Sequence, residues 1–264
     1  LKKIIVLLML LPTLLTGCTN GNGIDSSNQT STKNISEWTY QSGDKPVKII
    51  NHDNPTTIKE SEFKYSHINY GGLDKLQRTK AVTAYLTKNN LGHSNTRTRQ
   101  IWRPTGWHNQ PKYIDGTRVI PQNRGHLIAY TVTFNLNNKG QEQVGELGSI
   151  DNPYNLFTQT EFSNQQTMTQ VEQKVRTALA QNKKVIYKVE PIFRGNELMA
   201  RGVWVQALTT DGSMKFNRYL FNVQDRIKFD YATGRSVVDY KLRVPAVENQ
   251  ATYYKHAYHP KYRH

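Results

Sequence analysis

Asn123-Arg124-Gly125-His126, followed by the apolar run Leu127-Ile128-Ala129-Tyr130, is the stretch on which the reading of this chain turns. It places one imidazole beside a flexible Gly and a fixed positive charge, directly after an expected strand at Thr117 to Pro121. A neutral histidine in such a setting can take a proton from water next to a phosphodiester. Four residues alone are weak evidence. Their weight comes from Asn155, Asn164 and Glu172 further along, whose order and spacing suit metal-assisted hydrolysis. Such a reaction needs a nucleophilic water, relief of negative charge on the transition state and help for the leaving oxygen. A neutral His meets the first need and one divalent ion the other two. A hard ion such as Mg²⁺ takes oxygen ligands and keeps several waters, so one Asn amide oxygen can suffice as the direct protein ligand. A Glu nearby can hold the waters of the ion.

Working outward, Gln165 to Asn182 reads as a helix, with Met168, Val171, Val175 and Leu179 on its core face. Lys183 to Phe193 reads as a strand, and Leu198 to Leu208 with Met214 to Val223 as a hairpin around Thr209-Thr210-Asp211-Gly212. Tyr231-Ala232-Thr233-Gly234 marks a further turn before Val237-Val238. Upstream, Leu73 to Lys88 carries an apolar stripe (Leu73, Leu76, Ala81, Ala84, Tyr85) that predicts a helix ended by Asn89-Asn90 and Gly92. His93 to Tyr113 reads as loop and short strand, with Arg97, Arg99 and Arg103 as candidate phosphate contacts, although functionless surface arginines are commoner. Thr131 to Ile150 reads as a polar surface loop that alters substrate access. Strand runs with helices inserted between them predict an α+β fold with a mainly antiparallel sheet and helices packed on it.

The bulk composition agrees. In 264 residues, 35 Lys and Arg stand against 20 Asp and Glu, a net charge of +15. So basic a surface attracts polyanions, nucleic acid or an anionic envelope among them, or serves only solubility. The first seventeen residues have the form of a lipoprotein signal: Lys2 and Lys3, an apolar stretch from Ile4 to Leu15 too short to span a bilayer comfortably, then Leu15-Thr16-Gly17-Cys18. Cys18, the single cysteine, is the expected lipidation site, which would place the protein at the outer face of the bacterial membrane. An ordinary signal peptide with secretion, or an uncleaved anchor, are the alternatives. Residues 18–62 are expected to be a polar tether, at least as far as Ser36, residues 63–242 the folded domain, and residues 243–264 a basic aromatic tail. That tail could stack on bases or grip phosphate, or be a plain basic tail.

Asn123-Arg124-Gly125-His126-Leu127 resembles the Asp-Arg-Gly-His motif of the DNA/RNA non-specific endonucleases of the ββα-metal (His-Me finger) type. The chain is most similar to the DNA-entry nucleases of Gram-positive bacteria and the secreted streptococcal DNases. The likeness runs from about Tyr70 to Tyr240. It takes in Leu73-Asp74-Lys75-Leu76, Pro104-Thr105-Gly106-Trp107, Asn152-Pro153-Tyr154-Asn155-Leu156-Phe157-Thr158-Gln159-Thr160, Phe162-Ser163-Asn164-Gln165 and Glu172-Gln173-Lys174-Val175-Arg176.

The resemblance implies a ββα-metal nuclease fold and an endonuclease that cuts DNA, and RNA as a further substrate. It implies Mg²⁺ as cofactor, with Mn²⁺ as a substitute. His126 would be the general base, Asn164 the direct metal ligand, Glu172 a water-mediated metal partner, Arg124 a phosphate contact, and Asn155 a polar support of the loop or the site. Other readings stay open: Asn164 as a helix N-cap, Glu172 as an exposed partner of Arg176 at i+4, Asn155 as a turn residue. The leading Asp of the motif is Asn123 here, which keeps hydrogen bonding but not charge. A catalytically weak DNA-binding lipoprotein is the alternative function. No obligate protein partner is evident.

Overall fold

The computed structural model describes residues 35–247. The signal segment, Cys18, the first part of the tether and most of the basic aromatic tail lie outside the described residues. A six-stranded sheet forms the scaffold, built from β1 (Val47–Ile49), β2 (His67–Tyr70), β3 (Val82–Leu86), β8 (Val185–Ile192), β9 (Gly202–Thr209) and β10 (Lys215–Phe221). Its order is β1-β10-β9-β8-β3-β2, and every neighbouring pair is antiparallel. Three two-stranded units complete the strands: β4 (Lys112–Ile114) with β5 (Thr117–Val119), β6 (Gln122–His126) with β7 (Leu156–Thr160), and β11 (Ile227–Asp230) with β12 (Arg235–Val238). The α-helix α1 spans Thr169–Ala180 and continues directly from a π-helical turn at Ser163–Met168.

One core joins these layers. Val171, Val175, Ala178 and Leu179 of α1 pack with Val185, Tyr187 and Val189 of β8 and with Val203, Val205 and Ala207 of β9. Leu127, Ile128 and Phe157, from the β6–β7 hairpin and the turn after it, belong to the same cluster. The hairpin and the helix that follows it are therefore fixed against one sheet by apolar burial, the main favourable term in folding. The α+β class is the observed one, and the helix at 169–180 and the strands from 185 onward lie within their expected spans.

Two expectations need correction. Leu73 to Lys88 is not a helix. Asp74 accepts backbone N–H bonds from Leu76 (2.8 Å) and Arg78 (2.9 Å), Gln77 takes a left-handed φ of 63°, and the chain then enters β3. Both faces of β3 are covered: Val82, Ala84 and Leu86 enter the main core, while Tyr85 packs with Ile58, Ile186 and Leu208. A strand covered on both faces is nearly all apolar, which at the sequence level imitates a helical stripe. The tether was expected to extend to residue 62, yet the described residues from Ile35 onward pack on the domain. Ile35 and Ile50 are buried with Trp204, Tyr219 and Phe221, and β1 pairs with β10. Among the described residues no helix is long and apolar enough to cross a membrane.

Candidate active site

The motif directly follows the expected strand, observed as β5, and itself lies on a second strand, β6. In β6, Asn123, Arg124, Gly125 and His126 stand opposite Gln159, Thr158, Phe157 and Leu156 of β7. Side chains alternate between faces along a strand, so Arg124 and His126 share one face with Gln122, while Asn123 and Gly125 share the other. Gly125 has a steric reason. A Cβ there would run into the Gln159 side chain, which is fully buried and donates to Ser163 Oγ (3.0 Å). Asn164 follows Ser163, so this chain of contacts ties the π turn to the β6–β7 pair.

His126 is oriented by the main chain. Its Nε2 lies 3.0 Å from the carbonyl oxygen of Ile150. A carbonyl only accepts, so Nε2 carries the proton and the neutral ring keeps its lone pair on Nδ1. Burial drives the pKa of His126 down from 6.5 to about 4, opposed by the Ile150 carbonyl bond and assisted by the positive charge of Arg97. The imidazole is thus uncharged at neutral pH. Gln100 donates to the same Ile150 oxygen (3.2 Å) and, at 3.4 Å, to the Arg124 carbonyl. Trp102 N–H donates to Asp151 Oδ1 (2.9 Å). The end of the 131–150 loop therefore orients His126 and anchors the arch that carries the arginines.

Asn155 is fully buried. Its Oδ1 accepts from Ile128 N–H and its Nδ2 donates to Ile128 O, both at 2.9 Å. Asn155 thus clamps the chain just beyond His126, a supporting role. Asn164 is half-buried inside the π turn. Thr169 Oγ1 donates to the Asn164 carbonyl (3.2 Å) and Thr167 Oγ1 to the Ser163 carbonyl (3.0 Å), so hydroxyls occupy carbonyls in the widened segment. Short π segments occur often at functional sites. They also break the expected phase: from Asn164 to Glu172 the chain does not follow a single 3.6-residue pitch. The N-cap reading fails too, because Asn164 is inside a helical segment rather than ahead of one.

Glu172 is not an exposed i+4 partner of Arg176. It is half-buried on α1, and Arg176 donates to the Thr131 carbonyl instead (3.1 Å). Burial raises the pKa of Glu172 from 4.5 to about 7, tempered by the charges of Arg97 and Arg176. Arg97 bears on both His126 and Glu172 through its positive charge. Its guanidinium lies 5.6 Å from the centre of the Tyr130 ring, and Arg124 lies 4.5 Å from that of Trp107. Arg99 and Arg103 are exposed on the same arch. Gln100, Gln159 and Trp107 went unmarked as site residues. Their roles depend on contacts between segments far apart in the chain, which local pattern does not reveal.

The donor set bears on the metal. Among the described residues no three His, Cys, Asp or Glu side chains cluster as a cage. An Asn amide and a partly buried carboxylate with no ion-pair partner are instead oxygen donors suited to a hard ion that keeps its water. A cation beside Glu172 would stabilise the charged form that burial disfavours.

A two-stranded β6–β7 unit bearing the histidine, followed directly by a helix bearing the amide and carboxylate, defines the class of ββα-metal nucleases. Residues 55–210 match the model of the DNA/RNA non-specific endonuclease family, and the chain belongs to that family. It is similar to the NucA nuclease of Streptococcus agalactiae, solved with magnesium bound: 28% identity, a TM-score of 0.61, and coverage of 71% of this chain and 84% of that one. The Sda1 nuclease with bound zinc shares the fold at 21% identity and a TM-score of 0.52, covering 65% of this chain and 81% of that one. A deoxyribonuclease of Streptococcus dysgalactiae subsp. equisimilis is 26% identical over 203 residues, 66% of this chain. The chain spans 62% of the length of that relative.

Proposed function

We propose that this protein is a divalent-metal-dependent, sugar-nonspecific endonuclease that hydrolyses phosphodiester bonds of DNA, with RNA as a further substrate. The observation that carries the reading is the half-buried, uncharged imidazole of His126, held through Nε2 by Ile150 with Nδ1 left as a base. Family membership and the magnesium in the related NucA support it. His126 Nδ1 takes a proton from water, the water oxygen attacks phosphorus, and one bridging P–O bond breaks. Arg124 and Arg97 offer positive charge to the nonbridging oxygens. Asn164 directly, and Glu172 through water, would hold Mg²⁺ or Mn²⁺, which supplies charge neutralisation at the phosphate and leaving oxygen. Contacts of this kind touch phosphate and sugar and carry no base sequence.

The leader ending at Cys18 supports a lipid anchor at the outer face of the membrane, or secretion. Supercoiled plasmid incubated with the protein in Mg²⁺ or in EDTA tests the function. Cutting in Mg²⁺ that stops in EDTA is expected. Plasmid that stays intact in Mg²⁺ but is retarded on a gel would replace the nuclease with a DNA-binding module.

A further inference from the structure

We propose that Trp107 is a positioning residue for the reaction: its ring holds the Arg124 guanidinium so that the N–H donors remain open to a backbone phosphate. The inference rests on the nuclease reading. The Arg124 guanidinium carbon lies 4.5 Å from the centre of the Trp107 ring. Arg124 Nε is buried without a protein hydrogen-bond partner, and among the described residues no carboxylate pairs with this arginine. Its strand neighbour is Asn123, where the family motif has an acid. A carboxylate would neutralise the charge and engage the fork. An aromatic face attracts the cation and leaves the in-plane N–H edge free. The buried Nε shows that the chain supplies this guanidinium with no acceptor, and the outer Nη1 and Nη2 groups, which bond to no described residue, are the donors an acceptor from outside can meet. Arg124 shares a strand face with His126, so a phosphodiester presented to the base is the acceptor at hand.

The Trp107 mount is built from the same hairpin. Gln122, on that face of β6, accepts from His108 N–H (2.7 Å) and donates to the carbonyls of Gly106 (3.2 Å) and Gly234 (2.8 Å). Thr158, opposite Arg124 in β7, donates to the Thr105 carbonyl (2.8 Å). Gly106 takes a left-handed φ of 71° with Met199 and Leu198 against it, and Gly234 lies on its carbonyl where no side chain fits. Both neighbours of Trp107 are thus tied to the strands that carry Arg124 and to the β11–β12 turn, which sets the ring by construction.

The test is a double-mutant cycle on the full chain. Affinity for a labelled 20-base-pair duplex is measured in EDTA across a salt series, and plasmid nicking kinetics in Mg²⁺. Trp107→Leu should raise KM about tenfold and leave kcat within about threefold, because the contact it supports is made in ground and transition states alike. It should lower the slope of log affinity against log salt by about one, the signature of one lost phosphate contact. Trp107→Phe, which keeps a smaller ring and guards against a folding failure, should lose about threefold. In an Arg124→Ala background neither change should have further effect. Losses that persist undiminished without Arg124, or an unchanged salt slope, would overturn the proposal while leaving the nuclease intact. A wild-type protein that cuts nothing would overturn both.

Discussion

The β6–β7 hairpin and the helical segment after it supply opposite halves of one site. On the hairpin side the histidine and the chain just beyond it are held by groups of the protein itself, while Arg124 Nε is left without a partner among the described residues. Ile150 holds Nε2 of His126, and Asn155 closes both main-chain groups of Ile128. On the helix side, Glu172 is half-buried with no cation bonded to it among the described residues, and Tyr187, whose hydroxyl feels its charge, keeps that hydroxyl buried without a partner among them. The strand is therefore preorganised on its own, whereas the helix is arranged for something that arrives with positive charge. A preorganised base and an open metal side are what the proposed phosphodiester hydrolysis requires of one fold.

If that contrast is correct, the helix side should be the more fragile in activity and the more tolerant in stability. Asn164→Ala should cost about a hundredfold or more in kcat/KM, measured by plasmid nicking at saturating Mg²⁺, since it removes the proposed direct protein ligand. Its thermal midpoint should stay near wild type. An activity loss below about threefold would move the ligand role elsewhere.

Glu172→Gln should lose about tenfold to a hundredfold in activity yet gain stability. The sign follows from the raised pKa. Between pH 4.5 and about 7 the folded state keeps a proton that the unfolded chain releases, so stability falls across that window and remains lowered above it. The Gln variant should melt roughly 2–4 °C higher than wild type at pH 8 without metal, and at the same temperature below pH 4.5. Scanning calorimetry at the two pH values checks this, and equal midpoints at pH 8 would contradict it.

The hairpin side should behave in reverse. Asn155→Ala strands the Ile128 N–H and C=O in the core and should destabilise the fold by about 2–4 kcal/mol in urea titration. Its residual activity, per folded molecule, should fall less than that of Asn164→Ala. A smaller effect concerns pH. Because the His126 pKa is depressed, the base stays unprotonated well below 6.5, so its acid limb in kcat/KM should lie nearer pH 4 than pH 6.5. A limb that shifts to 6.5 would mean an exposed histidine.

Much of this was readable in the residues. The Asn-Arg-Gly-His order, the strand runs from 185 to 223 and the apolar spacing of Val171, Val175 and Leu179 are local signals, and they fell where expected. The failures have a common origin in contacts between distant segments. Val82 to Leu86 satisfies a helical pattern as well as a strand covered on both faces, and only its pairing with β2 and β8 decides. The π turn at Ser163–Met168 depends on hydroxyls of Thr167 and Thr169 reaching back to carbonyls, which a 3.6-residue pattern does not register. Ile150 carries no chemical signature at all. Its carbonyl matters only because a loop returns it to His126. The segment from Glu37 to Lys64 is mixed in composition and carries no periodic pattern that places it, yet Ile50 and Ile58, like Ile35 before it, are buried by the domain.

The central claim, that His126 is the base of a nuclease whose binding groups lie elsewhere, is tested most directly by His126→Ala. Plasmid nicking in Mg²⁺ and duplex affinity in EDTA would be measured on the same preparation. The account predicts a rate at least about a hundredfold lower with affinity changed by less than about twofold. A variant that still cuts at close to the wild-type rate would contradict it.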